Sequence, residues 1–530
     1  MSLSLNGNQL VGGRWVSAGS ATFRALNPAT GEPLEPSFTE ATQTEVGAAM
    51  TAAEEAFAVT RELSTARRAE LLDAIAAQIL ALGDTLLRRA HDETALPLER
   101  LAAERDRTVK QLALYAGMLR EGSWVDAVID TGDLQRQPVP KPDLRRMNRP
   151  IGPVVVFGAG NFPFAYGACG GDTASALAAG NPVVVKAHER HPGVNEMFAH
   201  AVLAALKKCD LPPEIFGLVQ GLGATVGQML VRHPATQAVG FTGSKRAGRA
   251  LFDVASERLQ PIPVFAEMGS LNPVVILPGA IAERGETIAI GLAQSITNGA
   301  GQFCTKPGWV FLTEGAATDQ FLEQLVRAMA EVPSTTMLTA DMRNNFCNIT
   351  GSFRKIPGVR TLLENAPTGF AAMSPVLLET DSATWRAHGE LHEEAFGPGA
   401  VIVLCRDLED LAKTISHAES NLTAALHAGA TDPVAEVRAL AQKLEQRAGR
   451  VIFNGYPTGV EVGHAMVHGG PYPATTAPAS SSVGALAIRR FVRPVAYQNV
   501  PDDLLPPELQ NANPLDLWRM VDGEWTRRAL

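Results

Sequence analysis

Between residues 40 and 120, apolar side chains recur at helical spacing. Leu71, Leu72, Ile75, Ile79, Leu82 and Leu86 share one face, with Arg67, Arg68 and Glu70 on the other. That pattern predicts amphipathic helices with a packed stripe. From about residue 151 the texture changes. Short unbroken apolar runs at 151–157, 182–185, 215–219 and 238–241 alternate with helical segments at 174–179, 195–207, 225–231 and 247–255. Strands without polar alternation are covered on both faces, so this order predicts a parallel sheet between helices. The pattern resumes after Glu267. Runs at 274–277, 309–312, 401–404, 424–427 and 451–453, with a helix around 284–298, predict a second α/β unit. Two segments break the rhythm, 123–150 and 486–530. From pattern alone they read equally well as surface connections or as arms that pair with another subunit.

Composition narrows the class. The 530 residues are 46% hydrophobic and 19% charged, with a net charge of −9. The core is large, and an acidic chain offers no electrostatic footprint for nucleic acid. No apolar run reaches the ~18 residues that span a bilayer, so no membrane is expected. The five cysteines, Cys169, Cys209, Cys304, Cys347 and Cys405, are widely spaced without a CxxC pair. This argues against a disulfide framework or a metal site and suits a reducing compartment. The start, Met1 to Asn8, lacks a basic segment and a long apolar run, so the cytoplasm is the expected location.

Candidate chemistry then concentrates at a few strand ends. Cys304 lies among small residues in Gly301-Gln302-Phe303-Cys304. A thiol acts as its thiolate, so its neighbours are expected to lower its pKa. Glu267 ends a strand-like run, where α/β sheets place chemistry. An apolar surround would raise its pKa and make it a usable base. Gly243 and Ser244, in Phe241-Thr242-Gly243-Ser244, join a strand to a helix, and free N–H groups at such a terminus attract phosphate. No GxGxxG accompanies them. Lys186, followed by His188 and Glu189, ends another strand and could hold ribose hydroxyls. The Asn161 amide, in Asn161-Phe162-Pro163, could stabilise an oxyanion. Taken singly, each has an ordinary structural reading: a buried thiol, a capping carboxylate, a turn.

Together they form an ordered set. With Asn27-Pro28-Ala29-Thr30-Gly31 and Glu393-Glu394-Ala395-Phe396-Gly397-Pro398, the chain resembles the aldehyde dehydrogenase superfamily over nearly its whole length. The resemblance implies a Rossmann-type cofactor domain (1–124 and 151–267), an α/β catalytic domain (268–465) and a small β oligomerisation flap with a C-terminal extension (125–150 and 484–530). It implies Cys304 as nucleophile, Glu267 as general base and Asn161 in the oxyanion hole. It assigns Lys186, His188, Glu189, Gly243, Ser244, Glu394 and Phe396 to NAD or NADP. It further implies a homodimer or homotetramer acting on a small aldehyde. Stretches such as Phe453-Asn454-Gly455-Tyr456-Pro457-Thr458-Gly459 and His468-Gly469-Gly470-Pro471 resemble the 2,5-dioxovalerate dehydrogenases, which make 2-oxoglutarate. A fatty aldehyde dehydrogenase is the nearest alternative. A CoA-acylating relative is disfavoured by Glu267, and a silent binding protein by the presence of Cys304, Glu267 and Asn161.

Overall fold

The computed structural model describes residues 4–530; Met1 to Leu3, part of the start read above as leaderless, lie outside the described residues. A seven-stranded sheet runs in the order 264–267, 238–242, 154–157, 183–186, 216–219, 9–11 and 14–16. Its first five strands are parallel, and Leu10 adds antiparallel to Leu218. Alternate strand residues feed opposite cores. Val154, Val156, Val183 and Val185 pack with the helices Thr65–Ala81, Leu98–Glu121 and Pro192–Lys208. Val155, Phe157, Val184 and Val239 pack on the other face with Gln43–Thr60 and Lys245–Ser256. Two-sided burial explains why these strands contain no polar alternation.

A second seven-stranded sheet follows the order 360–364, 376–381, 399–405, 309–313, 274–276, 421–427 and 448–453. All pairs are parallel except Arg360–Glu364, which runs antiparallel along Val376–Asp381. The same period-two division recurs here. Val275, Trp309, Phe311 and Val403 face one core, and Val274, Ile276, Val310 and Ile402 the other.

The two segments without clear periodicity meet in a five-stranded sheet, ordered 492–498, 144–150, 128–130, 519–521 and 524–526. Ala485–Phe491, just before it, is instead a 3-10 run packed into the first core. Arg490 is buried there and donates to Asp172 at 2.6 Å. The helix expected at 225–231 is also different: a π-helical turn, Gly223–Gly227, leads into a short helix, Gln228–Arg232. A Cβ at Gly227 would sit 2.8 Å from the Phe157 ring, so the glycine allows the turn to lie on the sheet. Among the described residues no helix is long and apolar enough to cross a membrane.

Candidate active site

Four parallel strands of the first sheet end on one edge. Val154–Phe157 leads to Asn161, Val183–Lys186 ends on Lys186, Ala238–Thr242 runs into Gly243 and Ser244, and Val264–Glu267 ends on Glu267. Register aligns Phe157 with Lys186 and Thr242 with Glu267. The carboxyl edge of a parallel sheet is where departing loops leave room for a ligand. A cleft of about 600 Å³ occupies that edge. Asn161, Lys186, His188, Glu189, Gly243, Ser244, Glu267, Cys304, Glu394 and Phe396 all line it.

Cys304 reaches the cleft from the second half of the chain, after the helix Pro278–Thr297 and the turn Asn298–Gly301. Gly299, Ala300 and Gly301 are all left-handed, with φ of 57°, 58° and 65°. A Cβ on Gly301 would approach the Gly397 carbonyl oxygen to 2.2 Å, so this position requires glycine. Asn272 fixes the loop from below. Its Nδ2 donates to the carbonyls of Cys304 at 2.8 Å and Lys306 at 3.0 Å. Its Oδ1 accepts from Ser270 and Thr423, each at 2.8 Å.

At the thiol, three elements converge. His468 Nε2 lies 3.0 Å from Glu267 Oε1 and 3.4 Å from Cys304 Sγ. The Ser482 hydroxyl donates to Glu267 Oε2 at 2.7 Å. Sulfur, imidazole and carboxylate ligand atoms all lie within 4.8 Å of one another. That trio also has the composition of a cation site, where the sequence reading expected no metal; a cation there would block sulfur and carboxylate together.

The electrostatics correct two expectations. Burial acts to raise the Glu267 pKa, as anticipated, but His468 and the hydrogen bonds from His468, Ser482 and Cys304 outweigh it, and the net shift is downward. Glu267 is therefore a charged acceptor throughout the neutral range. The Cys304 thiol is pushed up, not down, first by burial and then by the charge of Glu267 and a hydrogen bond to it. The resting pair is thus a neutral thiol facing a carboxylate. An ionised Glu267 at 3.0 Å needs a donor, which places a proton on His468 Nε2.

Beside the cysteine loop, Asn161 Nδ2 donates to the Gln302 carbonyl at 2.8 Å, and an amide NH₂ has a second hydrogen to offer. Arg100 holds Asn161 in place, with Nη2 donating to its backbone carbonyl at 3.0 Å. The Arg100 guanidinium lies between the rings of Phe162 and Phe303, 5.1 and 4.8 Å from their centroids. Among the described residues no backbone group pairs with the Cys304 N–H.

The far end of the cleft is polar. Lys186 Nζ sits 2.5 Å from Glu189 Oε2. Burial lowers the lysine pKa against the pull of Glu189. For Glu189, burial is overcome by the charge and hydrogen bond of Lys186, and the carboxyl is held well below its usual range. His188 is pushed down to about 3 by burial and by His191, whose ring stacks on it at 5.0 Å, so it is neutral. The Ser244 side chain caps the helix Lys245–Ser256, accepting from the Ala247 N–H at 3.3 Å. A Cβ on Gly243 would meet the Phe241 ring at 2.6 Å, which keeps the backbone close to that helix start. Near the thiol, Glu394 rests against Gly269, where a Cβ would come within 2.1 Å of its Oε2. Burial raises the Glu394 pKa to about 7, opposed by Lys306. A helix N-terminus between a lysine–carboxylate pair and a second carboxylate fits a dinucleotide in extended form.

The aldehyde dehydrogenase family pattern matches residues 15–472. The chain belongs to the aldehyde dehydrogenase family. Members oxidise aldehydes with NAD or NADP as hydride acceptor. The chain is 48% identical over 526 residues to alpha-ketoglutaric semialdehyde dehydrogenase 2 of Azospirillum brasilense, covering 98% of this chain and 100% of that one. It is 40% identical to alpha-ketoglutaric semialdehyde dehydrogenase of Acinetobacter baylyi, covering 98% and 99%. A betaine aldehyde dehydrogenase from Staphylococcus aureus, solved as a point mutant in complex with NAD+, shares the aldehyde dehydrogenase fold. Its TM-score is 0.79 at 20% identity, with 93% and 96% of the two chains covered.

The sequence reading found the cleft lining but missed His468, Ser482, Asn272 and Arg100. His468 and Ser482 stand 201 and 215 residues from the Glu267 they contact. His468 lies within a stretch that signalled the resemblance, yet no spacing rule marks a lone histidine so far from its partner.

Proposed function

We propose that this aldehyde dehydrogenase oxidises 2,5-dioxopentanoate, the α-ketoglutaric semialdehyde, to 2-oxoglutarate. The observation that carries the chemistry is the approach of Cys304 Sγ, His468 Nε2 and Glu267 Oε1 at the end of the cleft. The substrate rests on the 48% and 40% identical relatives of that name. Cys304 is the nucleophile. As its sulfur bonds to the aldehyde carbon, the thiol proton passes to Glu267 and from there to solvent, which leaves the carboxylate free for the second step. The Asn161 amide and the Cys304 N–H receive the oxyanion. When bound, the nicotinamide ring supplies the hydride acceptor. The acyl group is then held on Cys304 as a thioester, and Glu267 takes a proton from the water that hydrolyses it, returning the thiol. His468 keeps the carboxylate oriented and charged between the two steps.

In this reading Lys186 and Glu189 hold the adenosine ribose, and Gly243 and Ser244 meet the pyrophosphate at the helix start. Glu394 and Phe396 position the nicotinamide ribose and ring, and His188 shapes the wall as a neutral ring. The preferred cofactor is NAD. The ionised Glu189 repels a 2′-phosphate, and three cations of this region are paired: Lys186 with Glu189, Lys245 with Glu419 at 3.0 Å and Arg190 with Asp341 at 3.5 Å; Arg246, also on the cleft wall, has no such partner among the described residues. Residues 1–124 with 151–267 serve as the cofactor domain and 268–465 as the catalytic domain. Residues 125–150 and 484–530 carry the arm of a cytoplasmic homodimer or homotetramer. The test is steady-state oxidation of 2,5-dioxopentanoate against a long-chain aldehyde with both cofactors. A higher kcat/KM for the long chain overturns the substrate, and Cys304→Ala with undiminished turnover overturns the nucleophile.

A further inference from the structure

Next to Cys304, a loop at 457–460 is tied by hydrogen bonds to the cysteine turn, to a strand of the second sheet and to a helix of the first core. Thr305, next to Cys304, accepts from the Gly459 N–H at 3.3 Å. The carbonyls of this loop are held by two guanidiniums from different elements. Arg450, on the strand Ala448–Phe453, donates through Nη2 to Pro457 at 2.7 Å and Gly459 at 3.0 Å. Arg107, on the helix Leu98–Glu121, donates through Nε to Val460 at 3.2 Å and through Nη2 to the Tyr166 hydroxyl at 3.5 Å. The Arg107 guanidinium also lies over the Tyr166 ring, 5.3 Å from its centroid. Tyr166 in turn packs on His468, with ring centroids 6.3 Å apart, and His468 returns to Cys304.

Two like charges on carbonyls of adjacent residues call for an anion. Neither guanidinium has a carboxylate within 4.0 Å among the described residues. Arg107 Nη1 and Arg450 Nε are buried without any hydrogen-bond partner. Glu104, the acid nearest in charge to Arg107, spends one oxygen on the N–H groups of Phe164 and Ala165. Arg450 is in electrostatic reach of both Cys304 and Tyr166, and Arg107 of Cys304, Tyr166 and Glu104. If the arginines served only to pin the loop, unpaired buried donors would be an uncompensated cost.

We propose that Arg107 and Arg450, with the Tyr166 hydroxyl, bind the terminal carboxylate of an aldehyde acid whose aldehyde carbon meets Cys304. The inference rests on the acidic-substrate reading above and assigns that substrate its anchor. Four carbon–carbon bonds of ~1.5 Å separate the aldehyde and carboxyl carbons of a five-carbon acid, so they lie about 5 Å apart when extended. One aromatic side chain, Tyr166, separates the thiol–imidazole pair from Arg107. That spacing suits a short dicarboxylate-like chain and leaves a long alkyl tail against buried charge.

The discriminating measurement is a specificity ratio: kcat/KM for 5-oxopentanoate divided by that for pentanal, which has the same carbon count and no charge. In the wild type the ratio should lie far above one. In R107Q/R450Q it should fall by roughly 10²–10³-fold, mostly through KM, since each charge-assisted bond is worth a tenfold or more. Arg107→Lys and Arg450→Lys should recover part of it. A variant that loses activity equally on both aldehydes, leaving the ratio unchanged, overturns the anchor while the acidic-substrate reading survives. A wild-type ratio near one sinks both. Should the double variant not fold, the wild type carries the test. Glutarate should slow alkylation of Cys304 by iodoacetamide saturably, and 1,5-pentanediol should not; equal behaviour of the two overturns the proposal.

Discussion

A thiol that must attack is most often pictured beside cations. Cys304 instead faces a carboxylate that opposes its ionisation. Removing that charge therefore has opposite effects on two observables. Glu267→Gln should lower the thiol pKa, because the like charge that raises it is gone, and iodoacetamide should alkylate Cys304 faster near pH 8. Turnover should nevertheless drop by about 10²–10⁴-fold, since the proposed general base is lost. Slower alkylation would mean that Glu267 favours the thiolate. For the wild type, alkylation should rise with pH through the alkaline range, with no plateau near neutrality. At the other end of the cleft, Glu189→Gln removes the charge proposed to repel a 2′-phosphate. The NAD-to-NADP ratio of kcat/KM should narrow by about tenfold or more, one charge contact at low exposure being worth roughly 1–3 kcal/mol. An unchanged ratio would place the discrimination elsewhere.

At the scale of elements, the placement of Cys304, the proposed nucleophile, depends on backbone shape. Gly301→Ala would place a Cβ against Gly397 at φ 65°. The left-handed conformation costs an L-residue roughly 1–2 kcal/mol and the collision roughly 1–3 more. Urea denaturation should register the loss, and burst kinetics should show slowed acylation even in molecules that fold. The strands and most helices were legible in the sequence because two-sided burial leaves unbroken runs such as Val183, Val184 and Val185. The π-helical turn at Gly223–Gly227 was not, since its pattern matches an ordinary helix start and only its packing on Phe157 distinguishes it. Likewise, Cys304 and Glu267 stood in recognisable motifs, whereas the sign of their pKa shifts depends on His468 and Ser482, which only the folded chain brings near.

At the scale of the whole molecule, the five-stranded sheet gathers residues from 128–150, 492–498 and 519–526. Trp518 and Trp525, beside and within its last strands, are 47% and 55% exposed, and Leu504 is 70% exposed. Exposed aromatics on a small sheet are best accounted for by a covering partner. Light scattering should give a dimer or tetramer, and Trp518→Ser with Trp525→Ser should shift it toward the monomer. An unaltered mass would place the subunit contact on another face. The return of the chain from the second sheet to the first has an effect on biosynthesis as well. Strand end and thiol are made early, but His468, Ser482 and the Ala474 carbonyl that accepts from the Met268 N–H follow some two hundred residues after Glu267. A chain still short of them has Glu267 without the His468 and Ser482 side chains that hold its two oxygens. Residues 468–482 thus complete the surroundings of Glu267 only once most of the chain has been made.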